Sequence, residues 1–430
     1  MRKYEIRDPV YGFIDIDEWE RDIINQPAFQ RLRRIKQLAW TDMVYPGATH
    51  SRFEHSLGVM HVATRLFDAI VNRSHDLLRD ELKYDEGGLK RQRRLIRLAA
   101  LLHDLGHAPF SHAAEEILPF DPRTRRRFVH EQYSAAIAEH ALADVIEGHQ
   151  VNKRNYGLRV ADLSDFFLEA PSSGGLVWRD LVSSQMDADR MDYMLRDSYH
   201  AGVSYGHYDL DRVVATVALV ERPDGDGFAV GVDEDGIHAV EGLILARYML
   251  FTQVYFHKTR VIFDYHLIEA LKSILAPHGG CLPPPDSPEG VRAYLDWDDW
   301  RVLGALADGQ AGNHGRRLKE RDHFRQLCST REVPTLADLN EFEDLHQHLV
   351  VQGIDAVRRD AEKSWYKFEK PGDEILVRRS IGLNRGRAER LSQCSPVVSK
   401  LQAVKQSRLY VPEEKRQRAE GQIQQFKEAG

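Results

Sequence analysis

Cysteine is nearly absent from this 430-residue chain: Cys281, Cys328 and Cys394 are the only three, far apart and without the spacing of a zinc site. Neither a disulfide framework nor a thiolate metal centre organises the fold, and a reducing, cytoplasmic setting is expected. No apolar run approaches the length of a membrane span and the first residues are charged, so neither insertion nor secretion is expected. Excess positive charge is missing too. The 59 Lys and Arg stand against 66 Asp and Glu, a net charge of −7, which disfavours indiscriminate nucleic-acid binding by the whole surface. Two basic runs are local exceptions: Arg91, Arg93, Arg94 and Arg97, and Arg123, Arg125, Arg126 and Arg127. Each reads as a solvated loop or as a contact for phosphate-bearing partners. There is no P-loop and no internal repeat, which sets aside the P-loop nucleotidases and the solenoids.

Histidine is what the chain has, in dense places. The stretch LLHDLGHAPFSH, Leu101 to His112, puts His103, Asp104, His107 and His112 at the end of an apolar segment that includes Ala99 and Ala100. Burying imidazoles and a carboxylate there is costly unless a cation or hydrogen-bond partners compensate. On a helix, His103 and His107 lie four apart on one face with Asp104 beside them, so the group can converge on one point. Gly106 admits a close neighbour, and Pro109 is expected to end the helix before Ser111. Mixed imidazole and carboxylate ligands suit a first-row transition metal. A hydrogen-bonded core histidine near a helix end is the plainer alternative.

Two further segments offer ligands. In GATHSRFEHSLGV, Gly47 to Val59, His55 opens a helix with apolar residues at Val59, Val62, Leu66 and Ile70, and Arg52 could grip a phosphate in bidentate fashion. In SQMDADRMDYMLRD, Ser184 to Asp197, the residues Asp189, Tyr193 and Asp197 repeat every four positions, opposite Met191, Met194 and Leu195. They form one polar stripe, either a solvated face or a site.

Together, His55, His103–Asp104 and Asp189 resemble the H…HD…D metal set of the HD-domain phosphohydrolases. RFEHSLGV, HDLGHAPFSH, the His130-Glu131-Gln132 tripeptide and DADRMDYMLRD resemble the deoxynucleoside triphosphate triphosphohydrolase branch, with dGTPase-like members. The similarity starts at Asp8-Pro9-Val10-Tyr11-Gly12 and reaches His257-Lys258, about two thirds of the chain. The resemblance implies a divalent transition metal held by His55, His103, Asp104 and Asp189, with manganese, iron, zinc and nickel undistinguished, and magnesium arriving with the substrate triphosphate as a further option. Such a metal would lower the pKa of a water and polarise a phosphoryl oxygen. It further implies release of intact triphosphate from a deoxynucleoside triphosphate. The nucleoside 5′-oxygen, a poor leaving group, then needs a proton. His112 is the first candidate for that acid, and His107, Glu115 and His130 match the family's second histidine and carboxylate group, with Glu115 where an aspartate is expected. Arg52, Arg190, Arg247 and Tyr255 are implied phosphate contacts. Tyr193 and Asp197 would face the sugar, Asp197 accepting from the 3′-hydroxyl, while Gln37 and Leu38 pack on its other face and exclude a 2′-hydroxyl. A tetrameric or hexameric homo-oligomer is also implied. Relatives that need a nucleotide activator bind it through the segment corresponding to Asn25–Arg33. Gln30 and Arg33 match there, but Asn25 stands where an aspartate reads guanine.

The expected fold is mainly α: an HD-domain helical core with a small β-hairpin insertion and a smaller α+β C-terminal lobe. Helices follow one another from Asp17 to about His207. A hairpin, Thr216 to Arg222 and Phe228 to Val232, turns at Pro223-Asp224-Gly225-Asp226-Gly227. A long helix from Ile237 to Leu275 would carry Arg247, Phe251, Tyr255 and Lys258 on one face. Residues 1–275 are assigned to the catalytic core, 276–290, with its Pro283-Pro284-Pro285, to a linker, and 291–430 to the C-terminal lobe. There, helices run to about Lys363, with strands at Glu374–Arg378 and Arg408–Val411 and a polar last helix. Two other functions stay open: an HD nuclease or phosphodiesterase acting on nucleic acid or signalling nucleotides, and a nucleotide-sensing subunit of a larger complex.

Overall fold

The computed structural model describes residues 2–168, 176–223, 225, 227–363, 366, 374–380 and 386–429. It is mainly α. Helix α1 (Arg52–Arg73) starts where the Ser51 N–H donates to Glu54 Oε1 at 3.3 Å, and buries Val59, Val62, Leu66 and Ile70. Helix α2 (Glu86–Leu102) is capped by Asp85, whose side chain accepts from Gly88 N at 2.6 Å, and its last turns, Leu98 to Leu102, are buried all round. It lies along α1 in the centre of the molecule. Helix α4 (Ala188–Ala201) packs on α1, helix α3 (His130–Ala141) packs on Val160–Phe167 and Pro288–Leu295, and α4 ends at Gly202 in the left-handed region, φ 68°. Among the described residues no helix is long and apolar enough to cross a membrane.

Half of the first basic run is internal and all of it is ion-paired. Arg94 and Arg97 are buried on Glu20, with Arg97 Nε 2.6 Å from Oε1, while Arg93 pairs with Asp68 and Arg91 with Asp162. These arginines tie α2 to its neighbours and have no guanidinium to spare for a phosphate-bearing partner. The second run is exposed, on a tight turn between Phe120 and Arg127 that Asp121 closes by accepting from Arg123 N at 2.8 Å.

An N-terminal hairpin, Lys3–Asp8 with Gly12–Asp17, precedes the helices. Sequence reading passed over it, although Ile14 and Ile16 alternate into the core and Asp8 Oδ1 organises the turn by accepting from Val10 N and Tyr11 N. The expected second hairpin is present as Val217–Glu221 with Phe228–Asp233; Asp224 and Asp226 of its turn lie outside the described residues. Leu376–Arg378 adds to its Phe228–Asp233 strand in parallel, on the segment expected to be extended.

The long helix expected over 237–275 is instead two. Helix α5 (Ile237–Leu250) passes through a π-helical turn at Phe251–Tyr255, and helix α6 (Lys258–Leu275) restarts after His257, whose side chain accepts from Thr259 N. Arg247, Phe251 and Tyr255 nonetheless stay together across this turn, the Arg247 guanidinium 5.8 Å from the Phe251 ring and that ring 4.8 Å from the ring of Tyr255, while Lys258 opens the next helix. Past 276–290 the main core continues: Val291, Tyr294, Trp297, Val302 and Leu306 belong to the same apolar cluster as α1 and α2. A separate small cluster, including Phe342, Leu345, Leu349 and Val411, lies under a three-stranded sheet of Arg325–Ser329, Val404–Val411 and Val357–Lys363. Two of those strands fall where helices alone were expected.

His266 of α6 is fully buried beside Phe324 of the main cluster, its Nδ1 2.8 Å from His314 Nδ1 and its Nε2 accepting from Phe324 N at 3.2 Å. Burial, and then His314, Arg317 and His323, push it down to about 3. The unfolded chain therefore takes up this proton first. The contribution of His266 is fully present above about pH 6.5 and falls by up to roughly 1.4 kcal/mol per pH unit below that. Urea midpoints of the parent are expected to fall more steeply between pH 7 and 5 than those of His266→Gln. Equal slopes would show that His266 does not carry the effect.

Candidate active site

Helix α2 stops at Leu102, earlier than the sequence suggested, so His103 and His107 do not share a helical face. Tertiary hydrogen bonds replace the helical ones. Ser134 Oγ on α3 donates to His103 O at 2.6 Å and accepts from Gly106 N at 2.9 Å. Gly106 is required here, since a Cβ would lie 2.1 Å from His130 O. The resulting turn splits the histidines between two adjoining groups.

The first group is His55, His103 and Asp104, whose ligand atoms lie within 4.8 Å of one another. Asp189 joins them, its Oδ1 3.0 Å from His55 Nε2 and 3.9 Å from His103 Nε2. His103 donates Nδ1–H to Ala100 O at 2.8 Å, and His55 donates Nδ1–H to Asp192 Oδ2 at 2.8 Å. Each ring thus presents a bare Nε2 to the centre, and both Nε2 atoms are buried without a hydrogen-bond partner. Burial would keep His55 neutral, but Asp189, Asp192 and Asp104 push it up to about 10. So strong a preference for positive charge, together with two orphaned nitrogens, fits a divalent transition metal at this point.

The second group is His107, His112, Glu115 and His130. Glu115 Oε1 accepts from His112 Nδ1 at 2.8 Å and from His130 Nδ1 at 3.2 Å, and His107 stacks on His130 with centroids 4.0 Å apart. Burial raises the Glu115 carboxyl, but the hydrogen bonds of His112 and His130 outweigh it and hold it far below the usual range. The two groups touch where His107 Nε2 lies 3.1 Å from Asp104 Oδ1. His112 is the outermost member, its side chain 62% exposed. It follows two consecutive non-glycine residues in the left-handed region, Phe110 at φ 58° and Ser111 at φ 61°. That strained turn is braced from outside: Phe110 N donates to the buried Asp299 at 2.7 Å, and Phe110 stacks on Trp40.

The other expected residues fall around these groups. Arg52 is buried, ion-paired with Asp104 and donating to Ser111 Oγ at 2.8 Å. Arg190, on α4, pairs with Asp187. Arg247 is buried beside Tyr193, and burial lowers its pKa. Tyr255 and Tyr193 stand edge to face at 6.2 Å. The Tyr255 hydroxyl donates to Asp197 Oδ2 at 2.5 Å. Gln37 and Leu38 are both buried, and Gln37 Oε1 has no hydrogen-bond partner.

Sequence reading missed the supports. Asp192 orients His55 and is itself held by Arg196, with Nε to Oδ2 and Nη2 to Oδ1 both at 2.9 Å; Arg196 Nη1 reaches Asp8 at 2.8 Å. Gly58 makes room for this pair, for a Cβ there would lie 1.9 Å from Asp192 Oδ1. From beyond residue 290, Tyr294 donates to Gly106 O at 2.7 Å, while Arg31 spans Trp297 O at 2.9 Å and His107 O at 2.9 Å. The i, i+4 spacing of Asp192 and Arg196 was the one available signal; Tyr294 and Asp299 had none.

A candidate metal set of this form on α1, the α2 turn and α4, with a histidine and carboxylate group beside it, is the arrangement of an HD domain. The HD-domain model matches residues 52–197, and the HD-associated region matches 208–426, half of the chain, so the protein belongs to the HD-domain family. Its relatives include the uncharacterized protein YwfO of Bacillus subtilis, 39% identical over 58% of this chain and 51% of that protein. The SAMHD1 homolog of Dictyostelium discoideum, a deoxynucleoside triphosphate triphosphohydrolase, is 32% identical over 62% of this chain and 48% of that protein. The chain spans about half the length of the curated relatives it matches. A phosphohydrolase from Bacteroides thetaiotaomicron superposes with a TM-score of 0.70 at 26% identity, over 96% of this chain and all of that one.

Proposed function

We propose that this protein is a metal-dependent hydrolase of deoxynucleoside triphosphates, releasing deoxynucleoside and intact triphosphate. The observation that supports it most is the contact of the two groups. Bare imidazole nitrogens and carboxylates converge beside an exposed histidine whose Nδ1 is engaged by Glu115. A divalent metal on His55, His103, Asp104 and Asp189 supplies Lewis acidity toward a phosphoryl oxygen and toward water. With Nδ1–H donated to Glu115, the imidazolium form of His112 carries its second hydrogen on Nε2, from which it can pass to the departing 5′-oxygen, leaving neutral imidazole. His107 and His130 pack the opposite side of this group. Arg52, Arg190 and Arg247 bring positive charge for the phosphates, and Asp197 with Tyr193 lines the sugar position. The exposed turn at 123–127 keeps a second reading in view, a phosphodiesterase acting on a longer nucleic-acid chain.

Incubation with the four deoxynucleoside triphosphates under metal supplementation, followed by chromatography, separates the two. Free triphosphate with deoxynucleoside supports the first; monophosphate or shortened oligonucleotide supports the second.

His112→Ala is expected to keep its metal and lose about 10²-fold or more in turnover, the scale of general acid catalysis. Near-normal turnover with lowered thermal stability would leave His112 as a turn-capping residue and pass the acid role to His107 or His130.

Asn25 caps the first helix, Glu18–Ile24, and Gln30 and Arg33 bond each other beside it, Arg33 lying over the Phe53 ring. An aspartate there would accept from both N1–H and the amine of guanine, whereas asparagine offers one acceptor and one donor. Asn25 is exposed on the single chain; where a second subunit covers it, a donor left unpaired would cost about 1–3 kcal/mol. Hydrolysis of dATP, dCTP and dTTP is therefore expected without any strict requirement for GTP or dGTP. Strict dependence on a guanine nucleotide would refute the reading of Asn25.

A further inference from the structure

Asp197 does not stand alone on the α4 stripe. Its Oδ1 accepts from His50 Nε2 at 2.8 Å, its Oδ2 from the Tyr255 hydroxyl, and all three side chains are buried. His50 lies five residues before His55, outside the α1 helix and outside both histidine groups. It makes a second connection through its backbone, where His50 O accepts from Gln37 N at 3.0 Å. One residue therefore links Gln37 on one side with Asp197 on the other. Its ring is clamped in turn by His200, stacked at 4.4 Å and 13°, and His200 Nε2 lies 3.3 Å from Glu54.

We propose that His50 is the positioning residue of the sugar subsite. It aims the Asp197 carboxylate and sets the separation of Asp197 from Gln37, and so governs recognition of the 3′-hydroxyl. The proposal rests on the deoxynucleotide reading above. The chemistry follows from donor and acceptor counts. Asp197 can only accept, so His50 Nε2 carries the hydrogen between them. Each Asp197 oxygen has two lone pairs, and the bonds from His50 and Tyr255 take one each. The remaining lone pairs are left for an incoming hydroxyl, at a position that both donors fix. Without the His50 donor, Asp197 is held from one side only and can turn about its χ2. Gln37 Oε1, buried without a partner, is the corresponding acceptor on the facing segment.

The test compares deoxynucleoside triphosphates with their 2′,3′-dideoxy analogues, using metal-loaded full-length protein. The parent is expected to prefer the 3′-hydroxyl by roughly 10- to 100-fold in kcat/KM, the range for a hydrogen bond to a charged group. His50→Phe keeps a ring to stack on His200 but removes the donor, and should reduce that preference to within about 3-fold. Metal content by elemental analysis should not change. His50→Gln, which can restore an N–H to Asp197, should recover much of the preference. Should the Phe variant not fold, His50→Asn, too short to reach, takes its place. An undiminished preference in a folded His50→Phe or His50→Asn protein overturns the assignment of His50. A parent indifferent to the 3′-hydroxyl overturns the placement of the sugar at Asp197. A parent that releases no triphosphate from any deoxynucleotide refutes the substrate reading itself.

Discussion

Asp104→Ala is expected to leave a folded protein that holds no metal and hydrolyses nothing measurable. Asp104 sits between the two histidine groups, Oδ1 lying 3.1 Å from both His103 Nε2 and His107 Nε2, Oδ2 3.5 Å from His55 Nε2 and paired with Arg52. Burial would raise this carboxyl, but Arg52, His103 and His107 together hold it well below the usual range, so it is ionised and available as a ligand. Its removal takes an anionic ligand from an open site. The loss of Lewis-acid stabilisation, several kcal/mol, corresponds to roughly 10³-fold or more in rate. The fold has less at stake. Arg52 loses its carboxylate but keeps Ser111 Oγ, and the backbone of the turn is held by Ser134, Arg31 and Tyr294, none of which Asp104 touches. Elemental analysis and circular dichroism of the purified variant check both halves. Full metal occupancy with full activity would end the assignment of Asp104 as a ligand.

Much of this site was legible because its chemistry is dense in sequence. HD, RFEH and DADRMDY name ligands whose types are costly to bury for any other reason, and α4 carries Asp189, Tyr193 and Asp197 on one face as their spacing required. The helical core was legible from periodicity, and the second hairpin from its turn. What escaped has a common cause: it depends on contacts distant in sequence. The end of α2 is set by Ser134, 31 residues away, rather than by Pro109. The strained Phe110–Ser111 turn is held by Asp299, 189 residues away from the amide it accepts. The basic run at 91–97 looked like a surface feature because Glu20, which neutralises half of it, lies 74 or more residues away. The π-helical turn at Phe251–Tyr255 leaves the apolar period almost intact, and so it read as continuous helix.

Asp192→Asn should be the most damaging substitution at a residue that does not face the centre of the site. Asp192 is fully buried, and both its oxygens are committed: Oδ2 accepts from His55 Nδ1–H and Arg196 Nε, Oδ1 from Arg196 Nη2. An asparagine supplies one oxygen and one amide nitrogen, so one of these donors must meet an N–H. If the amide turns toward His55, the imidazole proton is driven to Nε2, the atom that must be bare to bind a metal. If it turns the other way, Arg196 Nη2 meets the amide, and the buried guanidinium keeps a neutral oxygen at Nε and Asp8 at 2.8 Å on Nη1. Either way His55 loses the anion behind its Nδ1–H and Arg196 loses a buried counter-charge. Metal affinity is expected to fall about 10- to 100-fold, the usual effect of losing a carboxylate behind a ligating histidine, and the fold to lose up to about 3–5 kcal/mol. Asp8→Asn separates the two, since Asp8 touches Arg196 but not His55. It should lower the urea midpoint and leave metal affinity close to that of the parent. Metal titration of the three proteins at one temperature decides between these outcomes. Parent-like affinity in a folded Asp192→Asn protein would mean that His55 is oriented by α1 alone, and that the buried chain Asp8–Arg196–Asp192 serves only the packing of α4 on α1.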